Sequence, residues 1–248
     1  MLRSMNEIKG YALLAEDGEI GRCKDFLLDD PNWTVRYMVA DTGNWLPGRQ
    51  VLILPLFLGR PDWASCLFPV KLVKKQVEDA PRLEEHAPVH RQYEVEYHSF
   101  YGLPFYWAGT HALGPVPYPA PLHDVNPESG EPSDPNQDEC LLRSANELVE
   151  YHIKAVDGEI GHVEDFILDD DSWTVRYIVV DTRNWLPGKK VLVPPAWIES
   201  ADWLQKTVTV DLTKGQVERS PEYDPSAPVN REYENLLYDF YGRPRYWQ

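Results

Sequence analysis

The sequence predicts a mainly β protein built from two small antiparallel β-barrel domains, each ending in a short C-terminal helix. Three observations predict it: the chain repeats itself, turn dipeptides punctuate each repeat at short intervals, and the hydrophobic period changes near the end of each repeat. Residues 8–107 align without a gap onto 148–247 at a constant offset of 140, with about half of the positions identical. A unit of roughly 100 residues has the size of a domain, far above the ~20–50-residue period of a solenoid. The expected organisation is a first repeat over 1–107, a linker over 108–147 and a second repeat over 148–248.

Each repeat opens on a strand near 8–15, and Asp17-Gly18 reads as a hairpin dipeptide leading into a strand near 19–28, because a type I′ turn needs positive φ that Asp-Gly tolerates. Asp157-Gly158 repeats it. Pro47-Gly48 and Pro187-Gly188 suit the centre of a type II turn between a strand at 33–42 and one at 49–54. Val208, Val210 and Leu212 alternate with Thr207, Thr209 and Asp211, the pattern of a half-buried strand. A short helical turn is expected near 213–218. Beyond it Asn230 is a good helix N-cap, and Tyr233, Leu236, Leu237, Phe240 and Tyr241 recur on one face at a period of 3.6. Gly242-Arg243-Pro244 ends that helix.

The segment 108–147 carries seven prolines between Pro115 and Pro135 and is acidic, with a single aromatic, Tyr118. It reads as an extended, solvated linker, since such a composition supports neither a core nor a helix. Forty acidic against 24 basic residues give a net charge of −16. That balance repels phosphate backbones and anionic headgroups, so nucleic acid is not an expected partner. No run of apolar residues approaches the ~20 of a membrane helix. The expected location is the cytoplasm, with a membrane complex reached only through a protein partner. Cys23, Cys66 and Cys140 have no counterparts across the repeat, which argues against a disulfide framework and for packed thiols.

The motifs carry a resemblance. Asp157-Gly158-Glu159-Ile160-Gly161, the strand Trp173 to Thr182, Asn184-Trp185-Leu186-Pro187-Gly188, Ser220 to Pro225 and Val229 to Glu234 together resemble a PRC-barrel domain. That module is shared by the cytoplasmic part of the photosynthetic reaction-centre H subunit and the C-terminal part of the ribosome-maturation factor RimM. The chain is similar to tandem bacterial PRC-barrel proteins. The resemblance implies a protein-interaction module and supplies no catalytic residues, and the sequence has neither the membrane helix of the H subunit nor the N-terminal domain of RimM.

Candidate chemistry is sparse. The acidic sets Asp17, Glu19, Asp25, Asp29 and Asp30, and Asp157, Glu159, Glu164, Asp165, Asp169, Asp170 and Asp171, lack the looped spacing of a calcium site and read as turn-forming carboxylates. The histidines at 86, 90, 98, 111, 123, 152 and 162 form no pair of ligand spacing. No catalytic, metal or cofactor site is expected. Arg36 and Arg176 sit mid-strand between apolar neighbours and are expected to pair structurally with Asp41 and Asp181.

One surface stands out by comparing the copies. Cys66, Leu67 and Pro69 replace Lys206, Thr207 and Thr209, and Leu103 and Phe105 replace Arg243 and Arg245 in the tail that ends on Tyr106 and Trp107. Apolar residues on a solvent face suggest a covered edge. These seven positions are the candidate interface, to a protein partner or through self-association. The expected function is a non-catalytic adaptor or assembly module. A small-ligand, metal or hydrolytic site in a cleft between barrels is the alternative, and a self-associating structural or stress-linked protein is a third reading.

Overall fold

A computed structural model describes residues 1–30, 32–43, 45–84, 88–107, 142–182 and 188–247. The chain forms two compact units. One is Lys9–Arg143. The other joins Met1–Ile8 to Ser144–Gln248. Strands β1 (Leu2–Ser4), β2 (Ala12–Ala15), β3 (Gly18–Asp29), β4 (Thr34–Asp41), β5 (Arg49–Ile53), β6 (Leu67–Pro69), β7 (Leu83–Glu84) and β8 (Leu142–Ser144) come first along the chain. They are followed by β9 (His152–Ala155), β10 (Gly158–Asp169), β11 (Thr174–Asp181), β12 (Lys190–Val193), β13 (Ile198–Asp202) and β14 (Thr207–Val210). The helices are α1 (Met5–Ile8), α2 (Lys74–Asp79), α3 (Arg91–Phe100), α4 (Ala145–Leu148), α5 (Lys214–Arg219) and α6 (Arg231–Tyr241).

In the unit Lys9–Arg143 the strand order is β6-β2-β3-β4-β5-β7, with β8 against β3. In the other it is β13-β14-β9-β10-β11-β12, with β1 against β10. The β2–β6 and β9–β14 pairs are parallel, whereas β1–β10, β2–β3, β3–β4, β4–β5, β5–β7, β9–β10, β10–β11, β11–β12 and β13–β14 are antiparallel. The domains are mainly β as expected, but the expected closed barrels are corrected: among the described residues no pairing joins the first strand of either order to its last. Strand count and turn spacing are the same for an open and a closed sheet. Closure is a matter of register between strands far apart in sequence, which local pattern does not encode.

The motif Gly-Glu-Ile-Gly has a packing reason. At Gly21 and Gly161, with φ +136° and +151°, an added Cβ would lie 2.1 Å from the carbonyl oxygens of Asp41 and Asp181 respectively. The neighbouring strand crosses there with no space for a side chain. The preceding turn is shifted from its expected place: Ala15 pairs with Gly18 and Ala155 with Gly158, so Glu16-Asp17 is the two-residue loop and Gly18 begins the strand. Asp17 and Asp157 serve another purpose, accepting the backbone N–H of Lys74 at 2.8 Å and of Lys214 at 2.7 Å where α2 and α5 begin.

Other expectations meet the structure directly. Val208, Val210 and Leu212 are buried, with Thr207 and Thr209 partly exposed. Asn230 caps α6, its Oδ1 accepting Tyr233 N–H at 2.9 Å, and Gly242 ends the helix in the left-handed region at φ +62°. The buried face of α6 is a correction. Leu237 and Tyr241 are inside, but Leu236 and Phe240 are exposed, and Glu234 and Tyr238 take the inward positions.

The ends of the linker are also redrawn. Residues 142–147, expected to belong to it, form β8 and, with Leu148, α4, while residues 108–141 lie outside the described residues. Leu142-Arg143-Ser144-Ala145-Asn146-Glu147-Leu148 repeats Leu2-Arg3-Ser4-Met5-Asn6-Glu7-Ile8 at the same offset of 140, so the repeat extends further toward the N-terminus than 8 and 148. Each copy of this strand is exchanged, β1 pairing with β10 and β8 with β3. Leu2–Ser4, preceding the first repeat, pairs with β10 of the second, through Leu2 to Asp169, Arg3 to Leu168 and Ser4 to Ile167. Leu142, preceding the second repeat, enters the core of the first with Leu27, Tyr37, Leu52, Tyr93 and Tyr97.

Candidate functional site

The most concentrated polar chemistry in each unit is a buried carboxylate where the terminal helix crosses the sheet. Glu94, on α3, is 2% exposed. It accepts hydrogen bonds from the hydroxyls of Tyr37 on β4, at 3.3 Å, and Tyr106 of the aromatic tail, at 2.8 Å, and pairs with Arg91 at 2.8 Å. Glu234 repeats the arrangement with Tyr177 at 2.8 Å, Tyr246 at 2.7 Å and Arg231 at 3.0 Å. Burial is the largest influence on Glu94 and raises its pKa, against the opposing pull of Arg91 and the two hydroxyls. An inward carboxylate with three donors fixes helix, sheet and tail to one another, since a buried charge is tolerated only when paired and hydrogen-bonded.

Arg36 and Arg176 join this cluster, and their partners are a correction. Arg36 bonds Asp29, with Nε at 3.0 Å and Nη2 at 2.5 Å from Oδ2, instead of Asp41. Arg176 Nη2 lies 3.2 Å from Asp169 Oδ2 and 3.1 Å from Ser172 Oγ, instead of reaching Asp181. The register explains it. Leu27 pairs with Tyr37 and the next residue, Leu28, with Val35, so Arg36 is the extra residue of a β-bulge; Ile167–Tyr177 and Leu168–Val175 leave Arg176 the same way. A residue five positions along a regular strand also points to the opposite face. The guanidinium groups then lie over tail rings, Arg36 at 4.1 Å from the Tyr106 centroid and Arg176 at 4.4 Å from that of Tyr246.

The candidate interface residues divide into two places. Leu103, Phe105, Tyr106 and Trp107 are all partly buried, packed back on their own unit. Leu103 lies against the core, Phe105 stacks on Trp107 at 5.1 Å, and Arg91 sits 4.2 Å from the Trp107 centroid. Cys66 and Pro69 are exposed and Leu67 half-buried, on and beside β6. Here the sequence reading missed two residues. In the parallel β2–β6 pair Ala12 is opposite Leu67 and Leu14 opposite Pro69; the matching pairs on β9–β14 are His152 with Thr207 and Lys154 with Thr209. Four apolar positions on β2–β6 correspond across the repeat to four polar positions on β9–β14, and position-by-position comparison at 12 and 14 would have found them. Leu14 is 40% exposed.

The acids otherwise act in local structure. Asp165 Oδ1 accepts the N–H of Phe166 at 2.8 Å and Asp25 does the same for Phe26 at 2.8 Å. Asp169, Asp170 and Asp171 bring carboxylate oxygens within 4.8 Å of one another, and the terminal ammonium of Met1 lies against all three. Burial pushes the Cys23 thiol up to about 12, where it is no nucleophile at neutral pH. Cys140 and the histidines at 86, 111 and 123 lie outside the described residues. Among the described histidines of the first unit His98 is the buried one, with Nδ1 2.9 Å from Pro104 O and Nε2 3.2 Å from Tyr37 Oη; burial brings its pKa down to about 4.

Comparison with known proteins bears on the second copy. Residues 143–217 match the PRC-barrel domain. The PRC-barrel match begins in β8, inside the segment that composition had assigned to the linker, and ends in α5 before the helix that carries Glu234. No curated protein matches the chain. Among the described residues no helix is long and apolar enough to cross a membrane.

Proposed function

We propose that this chain is a tandem PRC-barrel protein with no catalytic role, serving as an interaction and assembly module for a protein partner or for itself. The observation that carries the reading is the edge formed by Ala12, Leu14, Leu67 and Pro69, apolar where the second copy has His152, Lys154, Thr207 and Thr209. Two copies of one fold that differ by four apolar residues on one exposed edge differ in what that edge meets. The backbone beside it is already used within the unit, Pro69 O accepting Gly59 N–H at 2.7 Å and Leu67 bonding Asp62, which leaves side-chain contact as the mode of binding. The buried Glu, Tyr and Arg of each unit hold its own helix and tail, which suits a scaffold. The expected setting is the cytoplasm, with any membrane complex reached through the partner.

The test replaces Leu14 by Lys and Leu67 by Thr, the residues of the second copy, and compares the proteins retained by tagged wild type and variant from native cells at moderate salt by quantitative mass spectrometry. A stoichiometric partner, or the chain's own untagged copy, lost on the double substitution is the expected result. An unchanged set of retained proteins overturns the reading.

A further inference from the structure

We infer that the outer edge of β10 at Ile167–Asp169, with the carboxylate of Asp165, is a docking site for a peptide of the form Leu-Arg-Ser-x-Asn-Glu-aliphatic, and that a second copy of this chain supplies that peptide by strand addition. The inference is independent of the apolar edge at β2–β6, which lies on the other unit.

The site is built, and its occupant shows what it reads. Leu2–Ser4 adds to β10 as an antiparallel strand. Asp170 N–H donates to Met1 O at 3.0 Å, and the alternation of an antiparallel ladder makes Arg3 and Leu168 the next hydrogen-bonded pair. Asp165, 9% exposed, receives the Ser4 hydroxyl on Oδ2 and the Asn6 N–H on Oδ1 at 3.2 Å, and the Asn6 amide donates to Glu164 O at 3.4 Å. Met5 and Ile8 are 0% and 1% exposed. Backbone pairing supplies the affinity, and a buried acceptor and two apolar pockets supply the selection, the mode by which sheet edges recognise extended peptides.

The chain carries this motif twice. Leu142-Arg143-Ser144-Ala145-Asn146-Glu147-Leu148 keeps Leu, Arg, Ser, Asn and Glu in place and puts Ala145 and Leu148 in the buried positions. Ser4 and Ser144 each also accept the N–H three residues on, from Glu7 at 3.2 Å and Glu147 at 3.0 Å, so both donors hold the same turn. The segment seated on β10 is not the one joined to it through β9, but the one that begins the chain. The site therefore accepts a donor from a distant part of the sequence while a near-identical donor is its covalent neighbour.

A second copy presents the same atoms to the same site. Exchange between two copies makes and breaks equal contacts, so its balance is set by loop closure and protein concentration. Each copy offers two donors and two acceptors, which lets the exchange close as a symmetric dimer.

The experiment uses the full chain. Isotope-labelled and unlabelled protein are mixed, unfolded in denaturant, refolded at high and at low concentration, and weighed intact by native mass spectrometry. Dimers of mixed mass that rise with concentration are expected. Excess synthetic peptide of residues 1–9 present during refolding is expected to suppress them at least about tenfold and to remain bound to the monomer, with a scrambled peptide inert. The double variant Arg3→Pro and Arg143→Pro, which removes the N–H of Arg3 opposite Leu168 and that of its counterpart in β8, should lose the dimer. Monomer at every concentration with no peptide retained overturns the inference, and so does a dimer undiminished in the proline variant. Should that variant fail to fold, the peptide arm on the wild-type chain decides the matter.

Discussion

The two copies of the repeat build the same scaffold and finish it differently. Both place an Arg in a bulge beside an Asp seven residues earlier, bury a Glu under two Tyr hydroxyls, and reach positive φ at matching residues, Trp33 with Trp173 and Cys66 with Lys206. The first copy is the drier. Arg36 and Asp29 have side chains 9% and 7% exposed, against 24% and 20% for Arg176 and Asp169. Its hairpin before β6 is reduced to the bridges Leu58–Val70 and Asp62–Leu67, where the second copy has the full β13–β14 ladder. Gly59 lies beside Pro69 there, with its missing Cβ 3.1 Å from the ring, and Glu199 stands at the matching position. The framework tolerates loss of a ladder and gain of apolar surface at its edge while the Glu, the two Tyr and the Arg at its centre are kept.

If the framework is shared, the largest effect should be equal in both copies. Gly21→Ala and Gly161→Ala each force a Cβ against a crossing backbone carbonyl, and each is expected to destabilise its unit by more than about 3 kcal/mol. Denaturant melts of the two variants check this, and a cost under about 1 kcal/mol in either breaks the equivalence.

His98 sharpens the contrast, because the second copy has Tyr238 there. Unfolded, the imidazole takes a proton near 6.5; buried beside Arg36 and Arg91, it does so only near 4. The unfolded chain therefore binds more protons between those values, and the contribution is fully present above pH 6.5 and shrinks as pH falls to 4, by up to about 3 kcal/mol. Glu94, whose pKa is raised, slopes the opposite way, its contribution being lost as pH rises. His98→Tyr removes the imidazole's contribution while keeping Glu94 in both proteins, and melting the two between pH 7 and 4 should show the wild type losing more. Parallel curves would contradict the assignment.

The ion pairs should separate the copies by less. Arg36→Ala leaves Asp29 buried without its partner and should cost about 3 kcal/mol, while Arg176→Ala, in a wetter site, should cost about 1–2 kcal/mol. Equal losses in denaturant melts would show that the difference in burial has no energetic weight. Smallest is the tail. Arg243 pairs with Asp211 at 2.7 Å and Arg245 with Asp239 at 2.5 Å, where the first copy has Leu103 on the core and Phe105 on Trp107. Added salt should raise amide exchange in the second tail and not the first, by less than about 1 kcal/mol.

Much of this scaffold was legible in the sequence because its signals are local. The strand at Thr207–Val210, the Asn230 cap and the Gly242 stop follow from residues within a few positions of one another. The buried face of α6 was not, because a periodic reading sends Glu234 to solvent, and the hydroxyls that make its burial tolerable come from Tyr177 and Tyr246, one of them far away in the chain. Arg36 was matched to Asp41 by nearness in sequence, and one extra residue in the strand redirected it to Asp29. The apolar edge is half legible: Leu67 and Pro69 differ from Thr207 and Thr209 within one strand, but that Ala12 and Leu14 lie beside them depends on the parallel β2–β6 pairing. The strand exchange left no local trace, because Leu2–Ile8 and Leu142–Leu148 are too alike for sequence to say which acceptor each one joins.

That exchange is the central structural claim, and backbone NOEs of the full chain test it most directly. The account predicts cross-strand contacts from Leu2–Ser4 to Ile167–Asp169, with Arg3 opposite Leu168. The same contacts made instead to residues 27–29 of the first repeat would contradict it.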